Sequence, residues 1–208
     1  MRKGIIACSG MIAGLVLIII ALFGSWYGIH GGGALGTDYS VNMFLTHMEM
    51  QGTVAGQTIS YSLRYADAAN YANTAGIDAD SFAVINNAMF LSVAACITAV
   101  IAVIGMVGFV LQKGSHQAMK YLGGGFGVIT FLLTLLPALY FMMTGFSRNS
   151  GAFWFSETMM GMELTGGPAY AWYLMIVAAI IALIASVAIL LKKQVSEAAL
   201  ASHPPDAP

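Results

Sequence analysis

The chain has 208 residues, of which 59% are hydrophobic and 8% charged, with a formal net charge of −1 and a mean hydropathy of +0.81. Soluble domains are about one quarter charged, so an ordinary soluble protein is excluded, and no basic surplus exists to attract nucleic acid. The expectation is an all-α membrane protein, a four-transmembrane-helix bundle with a small extracellular cap that contains a β-hairpin.

Residues 1–24 hold a short basic tail, Arg2 and Lys3, and an apolar run from Gly4 to Gly24. A basic start before an apolar run also describes a secretory signal. This run is longer than a signal core and no small-residue cleavage pattern follows it, so a retained first span is expected. Gly10 and Gly14 repeat a small residue at four-residue spacing, which permits close helix contact in lipid.

Residues 25–83 form the first, long outer segment. Thr58 to Tyr65 alternates strictly, with Ile59, Tyr61, Leu63 and Tyr65 on one side and Thr58, Ser60, Ser62 and Arg64 on the other. That is the period of a strand with one buried face. Upstream, Asp38 to Met50 is rich in Tyr, Val, Phe and Thr, and Gly52 to Gly56 supplies a turn, so the two runs read as a hairpin. The Ala-rich stretch Ala66 to Asn73 reads as helical. A hairpin alone is marginal in water and must gain a strand, a helix or the ends of the spans as support.

The stretch "FLTHMEMQG" within this segment raises the question of metal. His30, Met43, His47, Met48 and Met50 are the candidate ligands, because thioethers and imidazole suit Cu(I). On a strand, however, His47 and Glu49 face one way while Met48 and Met50 face the other. No closed ligand set is visible, and adaptable Met packing is the preferred reading. No bound metal or cofactor is expected.

Residues 84–112 and 121–144 are the second and third spans, joined by a tight inner loop at 113–120, and 169–191 the fourth. Each has the roughly 20 residues needed to cross a hydrocarbon core of about 30 Å. None holds Asp, Glu, Lys, Arg or His between its ends, which argues against charge-moving transport, haem or a di-metal site. Asn86 and Asn87 are expected near the outer interface. Pro137 is expected to kink the third span, with Thr130 and Thr134 available to the freed carbonyls. "GGGFG" at Gly123 to Gly127 has no preceding strand and no following Lys-Ser/Thr, so it is not a phosphate loop. Ala178, Ala182 and Ser186 repeat the small-residue spacing in the fourth span.

Residues 145–168 form the second outer segment, where Phe153, Trp154, Phe155, Met159, Met160 and Met162 crowd together. This apolar loop is expected either to anchor in the membrane interface or to cover the hairpin or a partner. Residues 192–208 read as a disordered cytoplasmic tail.

Orientation follows from charge. Arg2, Lys3, Lys113, Lys120, Lys192 and Lys193 fall on one side of a four-span arrangement, against Arg64 and Arg148 on the other. The positive-inside rule then makes both termini cytoplasmic. The other side carries seven acids, Asp38, Glu49, Asp67, Asp78, Asp80, Glu157 and Glu163. Trp26, Trp154 and Trp172 fall at the outer ends of spans, as an interfacial belt would. Cys8 and Cys96 lie inside spans, so no disulfide links the outer segments.

Four spans, a long β-bearing first outer segment, a shorter second one and "GSWYG" around Trp26 resemble the claudin-like tetraspan arrangement. The likeness is one of topology; the Gly-Leu-Trp and loop cysteines of that family are absent, so its barrier or pore function is not carried over. The expectation is a non-enzymatic structural or accessory membrane protein of the cell membrane. It would associate laterally with itself or with a larger membrane complex, with membrane lipids as its other partners. Trp26, Phe153, Trp154, Phe155, Met159 and Met160 are the candidate interaction residues, and Gly10, Gly14, Ala178, Ala182 and Ser186 the helix seams. The alternatives are metal handling through the outer Met and His residues, or a small-molecule channel or transporter.

Overall fold

The structure is a computed structural model that describes residues 2–33, 37–54, 56–67, 80–112, 117–144, 153–159 and 162–191. Met160, residues 113–116, the tail from 192 and all but the start of the expected Ala66–Asn73 helix lie outside these; Tyr65, Ala66 and Asp67 are helical. Four long helices are described: α1 (Arg2–Phe23), α2 (Asp80–Leu111), α3 (Gln117–Thr144) and α4 (Tyr170–Leu190). Each is long and apolar enough to cross a membrane, within a residue or a few of the expected spans. The chain is a multi-pass membrane protein.

The helices form an up-down ring in which α1 packs on α2 and α4, and α3 on α2 and α4. Their packing is inverted relative to a soluble bundle. On α2, the small residues Ala88, Ser92, Ala95, Ala99 and Ala102 are buried, whereas Ile97, Val100, Ile104 and Val107 point outward. Lipid tails are as apolar as these side chains, so burying large aliphatics gains little; close backbone approach through small residues gains van der Waals contact instead. Buried polar side chains in the bundle bond within it: Ser92 donates to the Ala88 carbonyl, Thr134 to that of Thr130 and Ser186 to that of Ala182. Thr130 donates to the Phe126 carbonyl and reaches Thr98 Oγ1 of α2 at 3.1 Å. Thr130 and Thr134 therefore bond carbonyls earlier in α3 than the Leu133 carbonyl that Pro137, inside the helix, leaves without its donor, and the role expected of them is corrected.

The cap is larger than a hairpin. Six strands, β1 (Tyr27–Gly33), β2 (Thr37–Met43), β3 (His47–Val54), β4 (Gln57–Arg64), β5 (Phe155–Met159) and β6 (Met162–Pro168), make one antiparallel sheet in the order β4-β3-β2-β1-β6-β5. The expected Asp38–Met50 strand is divided between β2 and the first half of β3, and Gly52, expected in the turn, pairs with Ile59 from within β3; the hairpin is β3–β4, closed by a two-residue connection with Gly56 at φ 79°. The second outer segment was expected to be a loop; it is itself a hairpin, and β6 pairs with β1 from Tyr27↔Pro168 to Gly33↔Met162. The glycines of β1 and β6 conceal these strands, since glycine lowers strand propensity and breaks the alternating pattern.

Helices α2 and α3 meet through glycine. A Cβ added to Gly105 would lie 2.7 Å from the Gly123 Cα, and one added to Gly123 would lie 2.7 Å from the Met106 nitrogen. The "GGGFG" run is thus a helix-crossing element: Gly123 admits α2, while Gly124 and Gly127 admit Leu190 and Ser186 of α4. Gly125 faces open space. Gly105→Ala is therefore expected to destabilise the bundle by about 1–3 kcal/mol through backbone displacement. Gly125→Ala should be neutral or stabilising by up to about 1 kcal/mol, because Ala leaves the unfolded chain less backbone freedom to lose on folding than Gly does. Unfolding in detergent, followed for the two variants side by side, checks this contrast.

Candidate interaction surface

The sheet is mounted on the bundle through Trp26. Its backbone N–H donates to the Met43 carbonyl at the end of β2 (2.7 Å), and its carbonyl accepts from Ala169 at the start of α4 (2.9 Å). Its indole Nε1 donates to the Ala21 carbonyl of α1 at 2.8 Å, and the side chain is fully buried. Around it lies an aromatic floor. Trp26 meets Phe141 edge-on at 5.7 Å, Tyr27 meets Phe153 at 5.6 Å, and Phe153 meets Trp172 at 5.4 Å. Tyr27 donates its hydroxyl to the Phe153 carbonyl (2.9 Å), Trp172 its Nε1 to the Ala138 carbonyl (2.9 Å), and Tyr65 its hydroxyl to the Phe44 carbonyl (2.6 Å). Truncating a buried aromatic costs about 3–5 kcal/mol, against about 0.5–1.5 for a typical hydrogen bond. Packing sets the strength of this floor and the hydrogen bonds set its geometry.

The expected tryptophan belt is corrected accordingly. Trp26 and Trp172 sit at the helix ends nearest the sheet but are turned into the protein, where buried carbonyls satisfy their N–H groups; Trp154 is 52% exposed. Phe153 is interior and Phe155 is half-buried, its ring lying directly on Gly166 of β6. Among the aromatic interaction candidates, Trp154 alone is exposed. It stands edge-on to Phe153 at 4.8 Å and to Trp172 at 6.3 Å, so the floor holds it in place. The helix-seam candidates are used within the chain. Ala178, Ala182 and Ser186 are fully buried, and Gly10 and Gly14 face Ile181 with Ala185 or Ala178 of α4.

The register gives the sheet two unlike faces. One carries rows such as Tyr61–Met50–Val41–Ile29–Gly166–Phe155 and Leu63–Met48–Met43–Tyr27–Pro168. Its end nearest the bundle is covered, with Met43 and Met48 packed on the aromatic core. Its far end is open: Ile59 is 68% and Tyr61 59% exposed, and Tyr39 is exposed beside them. The buried side expected for Thr58 to Tyr65 is thus corrected. All of β4 but Leu63 is exposed, because the bundle lies only under the near end of the sheet.

The opposite face is polar throughout, with rows Ser60–Gln51–Ser40–His30–Thr165–Ser156 and Thr58–Thr53–Asp38–Gly32–Glu163–Thr158. An open cavity of about 580 Å³ lies over Gly31 and Gly32 and is bordered by His30, Asp38, Gln51 and Glu163. The pleat separates the metal candidates: His30 and His47 belong to the polar face, and Met43, Met48 and Met50 to the other. His47 stacks on Phe44 at 4.6 Å and approaches Thr46 Oγ1 at 2.9 Å and Glu49 Oε1 at 3.4 Å. Among the described residues no three His, Cys, Asp or Glu side chains converge on one point. Asn86 and Asn87 are exposed near the start of α2, on the side of the sheet, where Asn87 donates to the Tyr140 hydroxyl at 3.4 Å.

No protein-family model matches the chain, and no curated protein matches its sequence.

Burial pushes the Tyr27 phenol from its ordinary 10.0 up to about 12 and also raises that of Tyr65. Below pH 10 both folded and unfolded chains keep the proton. Between 10 and about 12 the unfolded chain loses it first, so the folded state binds more protons and stability falls as pH rises. Tyr27→Phe is expected to lower stability at neutral pH, through loss of the bond to Phe153, and to flatten the alkaline decline, leaving the share due to Tyr65. Tryptophan fluorescence during unfolding, compared at neutral and alkaline pH, measures both effects.

Proposed function

We propose that the chain is a non-enzymatic structural or accessory protein of the cell membrane, with cytoplasmic termini, that associates laterally with itself or with a larger membrane complex. The observation that carries this reading is where the unused contact surface lies. The small-residue seams are occupied inside the chain, whereas the rigidly mounted sheet leaves Trp154, Tyr61 and Ile59 exposed. Aromatic anchors held in fixed positions are the residues that dominate interface energies, and little ordering entropy opposes their engagement.

The interior of the described spans supports the non-enzymatic part of the proposal. Apart from the Trp172 indole on the Ala138 carbonyl, the bonded polar groups there are hydroxyls that bond carbonyls of their own helix or, for Thr130, the hydroxyl of Thr98 as well. Metal handling by the outer Met and His residues draws no support from ligands divided between two faces. A claudin-like affinity remains part of the proposal and rests on the four spans, the β-rich first outer segment and Trp26. The aliphatic stripes on all four helices suit direct contact with lipid.

Trp154→Ala should weaken association by on the order of 2 kcal/mol if Trp154 is an interface anchor, whereas Ile184→Ala on the lipid-facing side of α4 should leave it unchanged. Oligomeric state and co-purifying proteins in matched mild detergent distinguish the two. An assembly that survives Trp154→Ala and dissolves on Ile184→Ala would place the contact in the helices and sink the proposal. Orientation is tested separately: cysteine placed at Gly56 should react with an impermeant reagent in intact cells and cysteine at Ser115 should not.

A further inference from the structure

Building on the lateral association proposed above, we infer that the exposed edge of β4 is the self-association site, pairing antiparallel with β4 of a second copy about a two-fold axis at Ser60. Strand edges present unpaired N–H and C=O groups, and proteins commonly blunt them by shortness, charge, proline or bulges. The other edge, β5, is blunted: it has five residues with Glu157 at its centre. β4 is not. It has eight residues, pairs with β3 at eight consecutive positions without a bulge, and carries no charge or proline before Arg64 at its end.

A second copy fits because the strand is self-complementary. A two-fold axis perpendicular to a sheet keeps the two faces continuous and makes adjoining strands antiparallel, so residues whose numbers sum to a constant even value meet. Centred on Ser60, Ile59 meets the partner's Tyr61 and Tyr61 the partner's Ile59 on the apolar face. On the polar face Thr58 meets the partner's Ser62, and Ser60 meets its own copy. Aromatic with β-branched and hydroxyl with hydroxyl are favourable cross-strand pairs, and Arg64 falls outside the paired segment. Ile59 and Tyr61, the exposed apolar residues of β4, would thereby cover each other. An unrelated partner strand would have no reason to find this near-palindrome of apolar and hydroxyl positions.

The test is thiol cross-linking of the full chain in native membranes, in a Cys8→Ala, Cys96→Ala background, with a short bis-maleimide. Ser60→Cys should give a cross-linked dimer by itself. Thr58→Cys and Ser62→Cys should give little separately but cross-link when the two variants are co-expressed. Ile59→Lys should abolish the dimer, while unchanged tryptophan fluorescence reports an intact sheet. No dimer at position 60, or one equally strong at position 58 alone, overturns the β4 pairing, as does a different protein captured at position 60. If association in mild detergent persists in those cases and still depends on Trp154, the broader proposal of lateral association stands without this site. A chain that is monomeric in native membranes overturns both.

Discussion

Everything outside the membrane in this molecule depends on how Trp26 is held. The residue lies where α1 ends, and its backbone is satisfied from two directions, by β2 through Met43 and by the start of α4 through Ala169. Its indole closes the end of the bundle against Phe141 and returns its N–H to α1. A buried backbone group without a partner costs about as much as a lost hydrogen bond, so β2 and the start of α4 cannot move independently of the end of α1. This fixes the level at which β1 begins, and β1 in turn sets the register of the strands on both sides of it.

The bundle beneath follows a second constraint, set by its solvent. Packing in lipid rewards close approach, and the chain achieves it with Gly105 against Gly123 and with alanine along α2 and α4. The aliphatic surplus goes outward, where a soluble protein would place charge. Tight helix contact and a firmly seated sheet are linked through Phe141, Trp172 and Met175, which belong to the same core as Trp26 and Leu45.

The spans were legible because a long apolar run has few alternative readings, and β4 was legible because its alternation is free of glycine. The rest of the sheet was not. β1, with its YGIHGGG sequence, and β6, ending in GGP, lack the side chains that carry a period-two signal. Their pairing spans well over one hundred residues, beyond the reach of any local pattern. The orientation of the tryptophans was equally hidden: an indole at a helix end suits a headgroup or a buried carbonyl, and only the carbonyls of Ala21 and Ala138 decide between them. The small-residue spacings in α1 and α4 were visible, but spacing does not say whether the neighbouring helix belongs to the same chain. The glycine crossing of α2 and α3 was open to the same reasoning, since "GGGFG" lies at the start of a span.

The interleaving of the two sheet-forming segments has a consequence for biosynthesis. Strand β1 lies in the middle of the finished sheet, but its neighbour β6 is synthesised only after α2 and α3. Until then β1 is the edge of the four strands already made, β4-β3-β2-β1. Its glycines make it a poor template for premature pairing, because a flexible backbone without side chains loses more entropy on being ordered and offers little to pack. The same residues that weaken the central strand thus keep it vacant for the one segment that arrives late.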